Sequence, residues 1–236
     1  MKKLTSAQKR RLKHIIFTVL SLCLMTSLIV ILSAYLKGKK AVETDMEIKS
    51  DLIDYSAVEV IKPQIKKKLL TKNVNSRPGE KLEAVKGIVV HYTANPGTDA
   101  MANRNYFENR KDMPDEYEYK VSSHFIIGID GEIIQCIPLS EIAYASNERN
   151  ADTVSIECCH KDKTGKFSDA TYKSLVKLCA WLCSKYKLQK DSIIRHFDVT
   201  GKQCPLYFVE NEGAWSSLKD DIAAEIMSNK QKAIDS

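Results

Sequence analysis

The sequence predicts a single α/β domain on a mixed sheet, preceded by an apolar segment long enough to cross a membrane. Three observations carry that prediction. Apolar, β-branched runs alternate with stretches of helical periodicity between residues 87 and 227. Asp130-Gly131 lies between two apolar runs, which marks a hairpin and an antiparallel step inside that alternation. Residues 15–36 carry no charge and have basic residues on both sides.

The apolar segment comes first. At about 1.5 Å per residue, 15–36 as a helix matches the roughly 30 Å hydrocarbon core of a bilayer. A cleaved signal peptide would need only about 7–15 apolar residues and an A-x-A-like site. Ser33-Ala34-Tyr35-Leu36-Lys37 fits such a site poorly, so an uncleaved signal anchor is expected. Lys2, Lys3, Lys9, Arg10, Arg11 and Lys13 outnumber Lys37, Lys39 and Lys40 on the far side. The heavier basic flank stays inside. The expected layout is a cytoplasmic tail over 1–14, the span over 15–36 and a stalk over 37–65. The domain then runs over 66–229, followed by a tail over 230–236.

The net charge of +6 belongs to the anchor. Residues 1–40 hold nine of the 36 basic residues and none of the 30 acidic ones, so the remainder carries 27 against 30, a net of −3. A slightly acidic exported part has no electrostatic footprint for nucleic acid. Cell-membrane attachment with the domain outside, and a monomer, are the expected arrangement.

Within the domain, Asn75-Ser76-Arg77-Pro78-Gly79 marks an entry turn after a possible short helix over 47–62. Gly87–Thr93 reads as a buried strand and Thr98–Arg110 as a helix. Pro114 and its charged neighbours make 112–119 a loop. Ser123–Ile129 and Glu132–Ile137 form the hairpin arms. Ile142–Ala145 and Val154–Cys159 are further strand candidates. Asp169–Tyr186 places Leu175, Leu178, Leu182 and Tyr186 at helical spacing, with Asp169 as a fair N-cap. Ser192–His196 is a short strand, then a loop reaches Tyr207, and Glu212–Met227 is a final amphipathic helix.

The chemistry concentrates in His91, His196 and Cys204. Two imidazoles and a thiolate are good zinc ligands, and a three-ligand site keeps a position open for water, as catalytic zinc sites do. Taken singly, each histidine is equally a core residue, and His-x7-Cys is no zinc-finger spacing. His91 and His196 lie near the ends of predicted strands and Cys204 in a loop, so the three can meet at one edge of the sheet. A catalytic zinc acidifies a water and polarises a carbonyl. Glu157 in the apolar run Ser155-Ile156-Glu157-Cys158-Cys159 is a candidate base, or else a salt-bridged or edge carboxylate. Lys202 is a candidate oxyanion partner, or else a solvated loop lysine. His124 is read as a substrate wall or a support behind the site.

Seven cysteines are present, six beyond the span. They read mostly as buried small hydrophobes, with Cys179 and Cys183 one helical turn apart. Cys159 beside His160 raises a nucleophilic alternative, although strand neighbours point to opposite faces.

HYTANPGT, SSHFIIGIDGEIIQCIP, SIECC and IIRHFDVTGKQCP together resemble, in this order, the type-2 N-acetylmuramoyl-L-alanine amidases, relatives of the peptidoglycan recognition proteins. The resemblance covers about Lys66–Met227, and NSRPG is similar to the clostridial branch. It implies a mixed-sheet amidase-2 fold, Zn2+ on His91, His196 and Cys204, and catalytic roles for Glu157 and Lys202. It also implies peptidoglycan as substrate, cut between muramic acid and L-alanine. The alternatives are a non-catalytic peptidoglycan-binding module on the same fold and a cysteine hydrolase using Cys159 or Cys204.

Overall fold

The computed structural model describes residues 20–22, 24–40, 58–114 and 119–234. The expected cytoplasmic tail, the start of the span, most of the stalk and its short helix lie outside the described residues. The chain forms two units, Met1–Ile53 and Asp54–Ser236. The first contains helix α1 (Leu20–Lys40), long and apolar enough to cross a membrane. Its apolar side chains, among them Leu24, Leu28, Ile29 and Leu32, are all exposed. A helix apolar on every side needs an apolar medium or partner around it.

The second unit is built on a six-stranded sheet: β1 (Ile65–Lys67), β2 (Gly87–Tyr92), β3 (Phe125–Ile127), β4 (Ile133–Gln135), β5 (Thr153–Cys158) and β6 (Ile193–Arg195). The spatial order is β1-β4-β3-β5-β2-β6. Only β3 with β4 is antiparallel; every other neighbouring pair is parallel. The antiparallel pair is the expected hairpin. Gly131 turns its loop at φ +87°, where a Cβ would stand 2.8 Å from the Ala170 carbonyl oxygen. Only glycine fits that approach.

β2 and β5 are central, and their near-continuous apolar runs follow from burial on both faces. Helix α2 (Ala100–Glu108) is N-capped by Asp99 and buries Ala100 and Phe107 in a cluster with Ile126 and Ile134. Helix α3 (Asp169–Tyr186) packs against β3 and against α6 (Glu212–Ile234). Trp215, Leu218, Ile222 and Ile226 give α6 its buried stripe. Cys179 and Cys183 are buried on α3, and all six described cysteines are free thiols.

Several elements differ from expectation. Ser168 caps α3, accepting from the Thr171 N–H at 3.1 Å, and Asp169 is the first helical residue. Ile142–Ala145 is not a strand; Glu141 makes only a single bridge with Lys81. Two five-residue helices, α4 (His196–Thr200) and α5 (Leu206–Glu210), replace the loop expected after β6.

The compact unit also begins earlier than the expected Lys66. Val58 and Val60 are buried. Ser184 Oγ donates to the Val58 carbonyl and accepts the Val60 N–H, and Asn229 Oδ1 accepts the Ile61 N–H at 3.2 Å. Residues 58–65 are therefore tied to α3 and α6 rather than forming free stalk. At the other end, α6 continues past Ser228 to Ile234.

Candidate metal centre

His91 is the fifth residue of β2 and is register-paired with Glu157 on β5. Paired residues of adjacent parallel strands share a face about 4.8 Å apart, so imidazole and carboxylate stand side by side. His196 opens α4. Arg195 before it bonds Asp198, the Phe208 carbonyl and Glu212, which locks the turn from strand to helix. Gly201 ends α4 at φ +78°. The chain then folds back so that the Cys204 carbonyl accepts from the Phe197 N–H at 2.9 Å, placing Cys204 beside His196.

One potential ligand atom from each of His91, His196 and Cys204 lies within 4.8 Å of the others, and all three residues are buried. Cys204 Sγ is 3.8 Å from His91 Nδ1. The two imidazole rings are 4.7 Å apart, edge to face. His91 Nε2 lies 3.2 Å from Ser146 Oγ, and His196 Nε2 lies 3.0 Å from Asn147 Oδ1. His196 Nδ1 is buried with no hydrogen-bond partner, as is Glu157 Oε2.

The electrostatics suit a cation. Burial, and then the charges of His196 and Lys202, hold the His91 imidazole well below its ordinary range; burial and Lys202 also lower His196, opposed by Glu148. Both rings are therefore neutral, the form that ligates. Burial pushes Glu157 up to about 8, opposed by Lys202. Burial and the Glu157 charge push the Cys204 thiol up to about 12, opposed by the Tyr92 N–H and Lys202. A dication among these groups reverses the last two shifts, because it favours carboxylate and thiolate. The set of two nitrogens and one sulfur, with an unpartnered buried nitrogen among them, fits zinc better than hard cations.

The cluster forms one wall of a cavity of about 1160 Å³ that also takes in Glu157, Lys202, Tyr106, Tyr119 and Tyr144. Ala94 (φ +50°) and Asn147 (φ +52°) both line it, and they are two of the three positive-φ non-glycine residues described. Such backbone concentrates at functional sites.

Of the two readings of His124, its contacts fit the support behind the site. His124 is absent from the cavity lining. Its Nδ1 accepts from the Ser155 N–H at 3.1 Å and its Nε2 lies 2.9 Å from the Glu141 carbonyl oxygen. Both ring nitrogens are used, so it braces the core behind the site instead of forming a substrate wall. The Cys159–His160 pairing is also absent: Asn103 Nδ2 reaches Cys159 Sγ at 3.5 Å, and His160 Nδ1 faces the Asp162 carbonyl. Sequence reasoning missed Ser146, Asn147 and Arg195, which hold the candidate ligands in place without being candidates themselves.

The fold and site define the class: an α/β domain on a mixed sheet, with a buried His–His–Cys cluster that could hold a metal ion beside a carboxylate. The family model described as N-acetylmuramoyl-L-alanine amidase matches residues 81–206, and the chain belongs to that family. A probable N-acetylmuramoyl-L-alanine amidase of Bacillus licheniformis is 36% identical over 159 residues, covering 62% of this chain and 44% of the relative. The chain spans about half the length of the curated relatives it matches. Among solved structures, PlyL superposes with a TM-score of 0.57 at 25% identity, over 68% of this chain and 97% of that one. A mutant endolysin from Bacillus subtilis superposes with a TM-score of 0.56 at 28% identity, over 67% and 98%.

Proposed function

We propose that this chain is a zinc-dependent peptidoglycan hydrolase that cleaves the amide between N-acetylmuramic acid and L-alanine of the stem peptide. The observation that carries the proposal is the buried three-ligand cluster beside the unpartnered Glu157 Oε2, in a cavity of a family member. His91, His196 and Cys204 would hold the zinc. When bound, it polarises the scissile carbonyl and acidifies water.

This chain's own residues do the rest. Glu157, which lines the cavity with Oε2 buried and unpartnered, accepts a proton from the attacking water and passes it to the leaving amide nitrogen. Lys202 Nζ offers positive charge to the oxygen that becomes negative as the carbonyl is attacked. The products are a lactyl carboxylate and a free L-alanine amine. On this reading the protein is a single-pass membrane protein and a monomer with its domain on the wall side; the apolar α1 span and the heavier basic flank before it support the membrane attachment and orientation. Persistence of all three ligands favours an enzyme over a binding module.

The test is mass spectrometry of products from a defined muropeptide incubated with the purified full-length protein and zinc. The reading requires stem peptide with a free L-alanine amine beside intact muramyl sugar. Cleavage at any other bond, or binding without cleavage, overturns it. Lys202→Ala should lower kcat about tenfold, less than the roughly 10²–10³ lost with a buried oxyanion donor, because this lysine lies on an exposed loop.

A further inference from the structure

We infer that the loop Ala145–Asn150 presets both imidazoles for metal, with Ser146 and Asn147 as positioning residues. The inference rests on the metal-centre reading above. A neutral imidazole has one lone pair, and the nitrogen that carries the proton cannot ligate. His196 Nε2 faces Asn147 Oδ1 at 3.0 Å. A carboxamide oxygen only accepts, so Nε2 holds the proton and the lone pair falls on Nδ1. That Nδ1 is the buried atom with no hydrogen-bond partner. His91 repeats the arrangement: Nε2 is turned to Ser146 Oγ at 3.2 Å, and Nδ1 to Cys204 Sγ at 3.8 Å. Asn147 thus sets the tautomer of His196 at the start of α4, and the adjacent Ser146 holds the ring of His91 on β2 with Nδ1 turned to the cluster.

The loop is built to keep those two side chains in place. Asn150 Oδ1 accepts from the Ala145 N–H at 2.9 Å and the Ser146 N–H at 2.6 Å. Asn147 sits at φ +52°, a conformation asparagine adopts more readily than most residues with a Cβ. Affinity for the metal should then depend on residues that never touch it.

The experiment strips the full-length protein in detergent with a chelator and titrates Zn2+ in competition with a chromogenic chelator. Asn147→Gly keeps the left-handed backbone and removes the carboxamide. Asn147→Asp keeps an acceptor at the same place. Asn147→Gly and Ser146→Ala should each bind zinc about 10–100-fold more weakly. Asn147→Asp should restore affinity to within about threefold, and the absorption spectrum of its Co2+ form should match the wild type. The metal-free thermal midpoint of Asn147→Gly should stay at the wild-type value. An unchanged zinc dissociation constant in Asn147→Gly overturns the inference. So does a lowered metal-free midpoint with no rescue by aspartate, which makes the residue merely structural. A wild-type protein that takes up no zinc overturns the metal centre itself, a different result.

Discussion

His124 and His196 are both withdrawn from solvent, yet their neighbours treat them in opposite ways. Around His124 every ring nitrogen is used: the Ser155 N–H on one side, the Glu141 carbonyl on the other. Around His196 one nitrogen is held by Asn147 and the other is buried with nothing to bond. Leaving a buried polar atom unmatched costs about 1–3 kcal/mol. A fold that satisfies one histidine fully and the other by half has left the second open for something else. Burial alone therefore does not separate a core histidine from a candidate ligand; an unsatisfied nitrogen does so only beside other ligand atoms, since His160 Nε2 is also buried without a partner but stands outside the cluster. Glu157 falls on the His196 side of this division, with Oε2 buried and unpartnered.

The sharpest way to break that division is Glu157→Gln. On the proposed mechanism it removes the proton carrier and should lower kcat about 10²–10⁴-fold with zinc still bound. The same substitution removes an unpaired buried carboxyl, so the metal-free protein should be no less stable than wild type. Turnover assays and denaturant titrations on one preparation read both quantities. Near-normal turnover, or a large loss of stability, would place Glu157 with the satisfied core groups instead.

The satisfied node gives the next largest effect. Burial pushes the His124 imidazole down from 6.5 to about 4. Above pH 6.5 it is neutral whether folded or unfolded, and its contribution to stability is complete. As the pH falls from 6.5 towards 4, the unfolded chain takes up a proton that the folded chain refuses, so stability drops. At about 1.4 kcal/mol per pH unit the loss reaches about 3 kcal/mol by pH 4. In metal-free protein, His124→Gln should flatten the acid limb by that amount. Parallel limbs for variant and wild type would show that the node is not dry.

Much of this was legible in the sequence, for identifiable reasons. The long apolar runs of β2 and β5 and the 18-residue α3 carry enough periodicity to be read unaided. Asp130-Gly131 announces its hairpin because few residues tolerate that backbone. The cluster of His91, His196 and Cys204 was readable from side-chain chemistry and from strand ends. What escaped is short or depends on tertiary contacts. Helices α4 and α5 have five residues each, too few for a 3.6-residue period to show. Residues 58–62 are held by Ser184 and Asn229, more than a hundred positions away. Ser146 and Asn147 look like any polar loop pair until the histidines they face are in place. His124 stayed open between two readings because a motif histidine next to a strand has no sequence mark of whether its nitrogens are spoken for.

The smallest expected effect separates two cysteines in the way the histidines were separated. Cys204 stands against the unpartnered cluster, whereas Cys159 is packed among Leu70, Phe107 and Ile137 with its sulfur bonded by Asn103. Burial pushes the Cys159 thiol up to about 12, so almost none of it is thiolate at neutral pH. The thiolate is the reactive form, and His160 faces the Asp162 carbonyl instead of the sulfur. Cys159→Ala should therefore leave kcat/KM within about twofold, at a stability cost of about 1 kcal/mol for the lost packing. A loss of turnover beyond tenfold in a variant that still binds zinc would revive the cysteine nucleophile. Unchanged turnover leaves Cys204 as the cysteine whose surroundings are arranged for chemistry, because a ligand field and not an intrinsically low pKa would make its thiolate.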